Sequence, residues 1–300
     1  MAVQATGRMP TGISSLDPVL DGGVPPGSVV LLEGEVGAGS QEFVYTSLIY
    51  LSMLRQRQDA GANVRVPDTI SYITFTRLKQ DIMNEIGLSF TPNLVQNVNG
   101  TLSFTDLSTH YFDSSVVPSD WYCIDGSDEC EKKRNAGPEK MLSDFSSHNP
   151  GRKNTLLKLL YLTLSVANPK KGKKEAGTSL VVLDSLTDIA TQYSEPERWK
   201  ELTAFLRGLQ RVTKAWNATV YLLLTKGVLD PAKEKEIADC VDAVVLFKWE
   251  ETVAQRRQRT MFFEKFRGVM THLEERELVK FAVKISPGSG FEVSNIRVVV

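Results

Sequence analysis

The sequence predicts an α/β fold, a mostly parallel sheet flanked by helices. Four short runs rich in Val, Ile, Leu and Thr recur along it: SVVLLEG at 28–34, TISYITFT at 69–76, SLVVLDS at 179–185 and TVYLLLT at 219–225. Each is apolar almost throughout, as strands covered on both faces must be, and helical periodicity fills the intervals. Near Val241 the pattern changes, and the chain reads as strands alone: VDAVVLF, TMFFEKF, LVKFAVKIS and FEV.

After the first strand, Val44, Leu48, Leu51 and Leu54 recur at intervals of four, three and three, which predicts a helix with one core-facing stripe. A further helix is expected from about Asn154 to Ala167, stopping before Asn168-Pro169. Trp199, Leu202, Leu206, Leu209 and Val212 stripe the helix before TVYLLLT; Ser194 and Glu197 have the spacing of a capping box, with Pro196 in the first turn. Farther on, Phe281, Val283 and Ile285 alternate with Lys280, Ala282 and Lys284, the period-two signature of a sheet with one wet face. The C-terminal fifth is therefore expected to extend the same sheet in antiparallel fashion. A single domain over residues 6–297 accounts for these elements. Within it, about 108–150 is irregular and Ser/Asp-rich, expected as a long insertion, either a mobile loop or a lid or partner-binding segment, and KKGKK at 170–174 is expected as a solvated loop.

Composition narrows the function classes. With 35 Lys plus Arg against 36 Asp plus Glu, the formal charge of −1 gives no global attraction for nucleic acid or anionic lipid. No apolar run approaches the roughly 20 residues that cross a bilayer, and the start MAVQATGRMPTG has no secretory hydrophobic stretch, so a cytoplasmic location is expected. Cys123, Cys130 and Cys240 are too few for a disulfide framework, and with only His110 and His148 flanking the first two, zinc-ligand spacing is absent.

The chemistry-bearing feature follows the first strand: Gly34-Glu35-Val36-Gly37-Ala38-Gly39-Ser40-Gln41, then a helical pattern. A glycine loop between a strand and a helix N-terminus can cradle phosphate with backbone N–H groups. The spacing is that of the P-loop, G-x-x-x-x-G-K followed by Ser or Thr, with Ser40 in place of the Lys and Gln41 in place of the hydroxyl residue. Ser40 can donate a neutral hydrogen bond but no positive charge. Gln41 can offer an amide oxygen to a cation, though from a longer side chain.

Thr11-Gly12-Ile13, Leu16-Asp17 and the run Leu20 to Ser28, followed by the glycine loop, resemble the KaiC-like branch of the RecA-superfamily ATPases. The resemblance continues through FTRLKQDI at 75–82, LVVLDSLTDI at 180–189 as the Walker B strand, residues 238–246, and EKFRG at 264–268, covering roughly 6–295 apart from the insertion. It implies a RecA-like P-loop fold and a phosphate site at Gly34, Gly37, Ala38, Gly39, Ser40 and Gln41. It further implies Asp184 as the carboxylate ordering the magnesium shell and Thr225 as a phosphate-sensing position. Lys265 and Arg267 match a K-x-R pair that reaches a neighbouring subunit's γ-phosphate, and on a strand their spacing points both cations the same way.

Thr76 and Arg77 stand where active members of that family carry acidic residues, and neither can act as a general base at neutral pH. No catalytic residue is therefore assigned. The expectation is a hydrolysis-deficient regulatory or assembly component with weak ATP or ADP binding, with or without Mg²⁺, working as a homo-oligomer or in a hetero-complex with a KaiC-like relative. Two alternatives remain: an atypical ATPase completed by a neighbouring subunit, and a DNA-associated, recombination-mediator-like protein, against which the balanced charge counts.

Overall fold

The computed structural model describes residues 7–57, 64–96, 98, 100–112, 115–122, 155–167, 178–251 and 256–295. Nine strands form one sheet in the order β3-β2-β4-β5-β1-β6-β7-β8-β9. They are β1 (Val29–Gly34), β2 (Thr69–Thr74), β3 (Leu102–Asp106), β4 (Ser179–Asp184), β5 (Ala218–Thr225), β6 (Ala243–Glu251), β7 (Arg257–Phe266), β8 (Lys280–Ser286) and β9 (Gly290–Asn295). The first six pair in parallel and the last three add antiparallel.

Alternation splits the central strands between two cores. Val30 and Leu32 face one side of the sheet, with Phe43, Val44 and Leu48 of the Ser40–Arg57 helix. Val29 and Leu31 face the other, with Leu202, Leu206 and Leu209 of the Pro196–Trp216 helix. Every residue of β1 and β4 is buried, which is why these runs carry no polar alternation. Fully burying one Val or Leu stabilises by about 1.5–3 kcal/mol, so the two faces hold the sheet from both sides.

The sequence reading needs four corrections. VDAVVLF is not part of the antiparallel extension: β6 pairs in parallel with β1, Val30 opposite Ala243, and the antiparallel portion begins at β7. The edge strand β3 escaped notice because its residues are partly exposed and lack the all-apolar signature. Ser194 and Glu197 form no capping box; Glu195 is the N-cap of the 196–216 helix, without a side-chain cap, and Pro196 opens it. The box lies instead at Ser185 and Asp188, heading the Leu186–Gln192 helix. Finally, the start of the supposed irregular insertion is helical at Ser108–Phe112 and Ser119–Tyr122; most of the remainder, Cys123 and Cys130, and the KKGKK run lie outside the described residues.

The N-terminal segment has a structural task. The Asp17 carboxylate accepts from the Thr11 amide at 2.7 Å, the Thr11 hydroxyl at 2.6 Å and the Gly12 amide at 3.2 Å, closing the turn that leads to β1. Gly23 sits at φ +128°, and a Cβ there would lie 1.9 Å from the Met9 carbonyl oxygen. Among the described residues, no helix is long and apolar enough to cross a membrane.

Candidate functional site

Strand register brings the site together. Gly34 of β1 lies opposite Thr225 of β5, and Thr74 of β2 opposite Asp184 of β4, so all four stand at the carboxyl ends of parallel strands, where open α/β sheets bind ligands. A cavity of about 240 Å³ opens there, lined by Ser40, Gln41, Thr76, Arg77, Asp184 and Thr225 among others. Ligand pockets typically run to about 300–1,000 Å³, so this one lies near the lower end of that range.

The glycine loop leads into the cavity at Ser40 and Gln41. Gly37 and Gly39 adopt φ +73° and +113°, and at Gly34 a Cβ would lie 2.7 Å from the Ser40 hydroxyl oxygen, so that hydroxyl leans back over the strand end. The helix begins at Ser40, its first complete turn closing from the Phe43 amide to the Gly39 carbonyl at 2.9 Å. The opening amides of such a helix have no intrahelical partner and are available to an anion. From behind, the Trp249 indole N–H donates to the Val36 carbonyl at 3.2 Å and Arg259 Nε to the Gly37 carbonyl at 2.9 Å. The anchors come from β6 and β7, with the Arg257 and Arg259 guanidiniums 4.4 and 4.5 Å from the Trp249 ring centre.

Across the cavity stands a polar cluster that the aliphatic strands conceal. Asp184 is buried, and its Oδ2 accepts from the Tyr72 hydroxyl at 2.5 Å and from Gln41 Nε2 at 3.2 Å; Arg77 Nη1 lies 3.6 Å away. Arg77 Nη1 also donates to the Tyr45 hydroxyl at 3.0 Å, its Nη2 pairs with Glu85, and Tyr45 in turn donates to Glu85 at 3.0 Å. Burial pushes the Tyr72 phenol well above its ordinary pKa, with the Asp184 charge adding to the shift, so Tyr72 remains a donor. Burial likewise raises the Asp184 pKa, against the opposing pull of the Tyr72 hydrogen bond, the Arg77 charge and Gln41. For Arg77, burial works against the charge, but Tyr45 and Glu85 outweigh it and hold the guanidinium protonated. The Asp184-Ser185 peptide is cis.

Magnesium, which the family resemblance implies, does not fit this arrangement. Mg²⁺ requires near-octahedral oxygen ligands at about 2.0–2.1 Å. Here Gln41 turns its amide nitrogen, not its oxygen, toward the acceptor Asp184, and a guanidinium stands beside the same carboxylate oxygen. Among the described residues, no three His, Cys, Asp or Glu side chains converge to hold a metal.

Residues 8–148 match a family of unknown function, DUF7125. That stretch contains the glycine loop, Thr76 and Arg77, and stops short of Asp184. Among solved structures, the KaiC-like protein PH0186 of the hyperthermophilic archaeon Pyrococcus horikoshii OT3 superposes with a TM-score of 0.58 at 17% identity, covering 96% of this chain and 99% of that one. The fold is that of a KaiC-like protein. At this identity the likeness is one of fold, and it agrees with a mostly parallel sheet carrying antiparallel C-terminal strands. No curated protein matches the sequence.

Within this KaiC-like fold the residues singled out from sequence fall into two groups. Ser40, Gln41, Asp184 and Thr225 line one cavity; Gly34, Gly37, Ala38 and Gly39 belong to the loop that leads into Ser40 and do not line it. The Thr225 amide donates to the Thr187 hydroxyl at 2.8 Å, which anchors that strand end to the Leu186–Gln192 helix after β4. Lys265 and Arg267 are elsewhere. Lys265 is on β7 and Arg267 one residue past its end; Lys265 Nζ donates to the Ala238 and Asp239 carbonyls at 2.8 and 3.1 Å, and Arg267 Nη2 to the Asp239 carbonyl at 3.4 Å. Both cations do point one way, toward the C-terminus of the Pro231–Asp239 helix, a favourable place for positive charge. Sequence reasoning missed Tyr45, Tyr72 and Glu85. The available signal was Tyr45 four residues after Gln41, and a tyrosine at an inward position of an otherwise aliphatic strand, each needing a partner for its hydroxyl.

Proposed function

We propose that this protein is a hydrolysis-deficient RecA-fold component that acts by binding partners, as a regulatory or assembly subunit. The observation that carries this is the guanidinium of Arg77, 3.6 Å from Asp184, where hydrolysis needs a carboxylate to handle water. Phosphate catalysis rests on positioned positive charge, and position 40 offers only a neutral hydroxyl. Any nucleotide held here relies on the loop amides, so its binding is weak. The small cavity supports the same reading.

The test is ATP turnover by the purified full chain, with Asp184→Asn as control and light scattering run in parallel. No turnover above that of the control is expected, together with self-association or capture of a KaiC-like relative. Turnover that Asp184→Asn abolishes would overturn the reading. A second reading, an ATPase completed by a neighbour, is favoured by one observation: Lys265 and Arg267 do not line their own chain's cavity. It predicts turnover only in the assembled state, lost in Lys265→Ala.

A further inference from the structure

The cleft contains a cation of its own. Arg77 lies between two carboxylates, with Nη1 3.6 Å from Asp184 and Nη2 paired to Glu85, and Tyr45 ties the arrangement together by accepting from Arg77 and donating to Glu85. Asp184 Oδ2 receives two further donors, Tyr72 and Gln41. A planar fork suits this geometry because it can engage several acceptors at once, as a point charge cannot. A divalent ion at Asp184 would have to displace the Gln41 nitrogen and approach a guanidinium already beside the same oxygen.

We propose that Arg77 replaces the divalent cation at this cleft, bridging Asp184 and Glu85 so that the site is complete without metal. This rests on the hydrolysis-deficient reading and deepens it. The substitution of an acidic position by Arg then does two things at once: it removes the base and sets one positive charge between the two carboxylates left behind. It also explains why Gln41 can stand where a metal-binding hydroxyl belongs, since with no metal to hold, its amide nitrogen serves as one more donor to Asp184.

The test uses the full chain and Mn²⁺ as a paramagnetic stand-in for Mg²⁺, read by electron spin resonance, with thermal melting in Mg²⁺ or chelator alongside. The wild type is expected to leave the free Mn²⁺ signal undiminished and to melt at the same temperature in both buffers. Arg77→Met leaves two carboxylates without their cation and should deplete the free Mn²⁺ signal and melt higher with Mg²⁺, an effect cancelled by adding Asp184→Asn. Arg77→Gln, which can keep the Tyr45 bond, is the second variant should Arg77→Met not fold, with the same gain expected. Arg77→Lys retains a cation without the fork that reaches both carboxylates, so its Mn²⁺ uptake should fall between those of the wild type and Arg77→Met. Mn²⁺ binding by the wild type that Asp184→Asn removes would overturn the proposal, as would folded Arg77→Met or Arg77→Gln indifferent to Mn²⁺. ATP turnover would instead overturn the preceding reading, whatever the metal result.

Discussion

Replacing Tyr72 by Phe removes one oxygen from the wall of the site and leaves the ring in place. Tyr72 is fully buried, its ring 5.4 Å from that of Phe104, so the change opens no cavity of consequence. What is lost is a 2.5 Å hydrogen bond to a buried carboxylate. Bonds to charged groups contribute about 1.5–3 kcal/mol net, and the acceptor here keeps Gln41 and the nearby Arg77, so the lower half of that range is expected. Tyr221 supplies the matched control, because its buried hydroxyl has only the Ser47 hydroxyl to interact with and makes no well-formed hydrogen bond. Tyr221→Phe should be neutral or stabilising. Urea unfolding of the two variants reads the difference, and a double-mutant cycle with Asp184→Asn should return a coupling of about 0.5–3 kcal/mol. If Tyr72→Phe costs no more than Tyr221→Phe, the cluster contributes nothing to stability and the account of Asp184 as a satisfied, internally compensated group is wrong.

Glu33 is buried beside Lys226, and burial raises its pKa in spite of the lysine. The folded state then holds a proton longer than the unfolded one, so stability falls as pH rises from the ordinary glutamate range through the folded pKa. Melting curves across that window should flatten in Glu33→Gln, and an unchanged slope would refute the assignment. Gly23→Ala should cost more than about 3 kcal/mol from positive φ and a backbone clash, whereas Gly87→Ala, in a helix with open space at its Cβ, should stabilise by about 0.5–1 kcal/mol; thermal melting distinguishes the signs. Arg259→Ala removes the anchor on the Gly37 carbonyl, so amide exchange should quicken across 35–39 and stay unchanged at Leu31.

The legible part of this fold was the part where one physical requirement dominates. A strand buried on both faces must be apolar throughout, and β1, β2, β4 and β5 were visible for that reason. The illegible part depended on partners distant in sequence. β3 is held at an edge by Ile70 to Thr74, and nothing within its own five residues encodes that. The glycine loop was readable because it is contiguous, and Arg77 was noticed only as a residue lacking a carboxylate. Its partner Glu85 is near in sequence, eight residues on in the Lys79–Ser89 helix, but Tyr45 and Asp184 come from another helix and another strand, 32 and 107 residues away in the chain.

Register also decides what the single chain can do with its K-x-R pair. Gly34, at the base of the glycine loop, lies opposite Phe247, while Lys265 pairs with Val244, three residues toward the other end of the sheet. At about 3.3 Å per residue that is about 10 Å along the strands, and Arg267 lies farther still. Both side chains are engaged with the carbonyls of 238 and 239, and burial with the adjacent Arg267 charge lowers the Lys265 pKa. Neither cation can supply the charge missing at position 40 of its own chain without leaving the sheet. Within one chain the pair therefore does not make up for the lysine missing at position 40, and the cation that does line the cavity is Arg77.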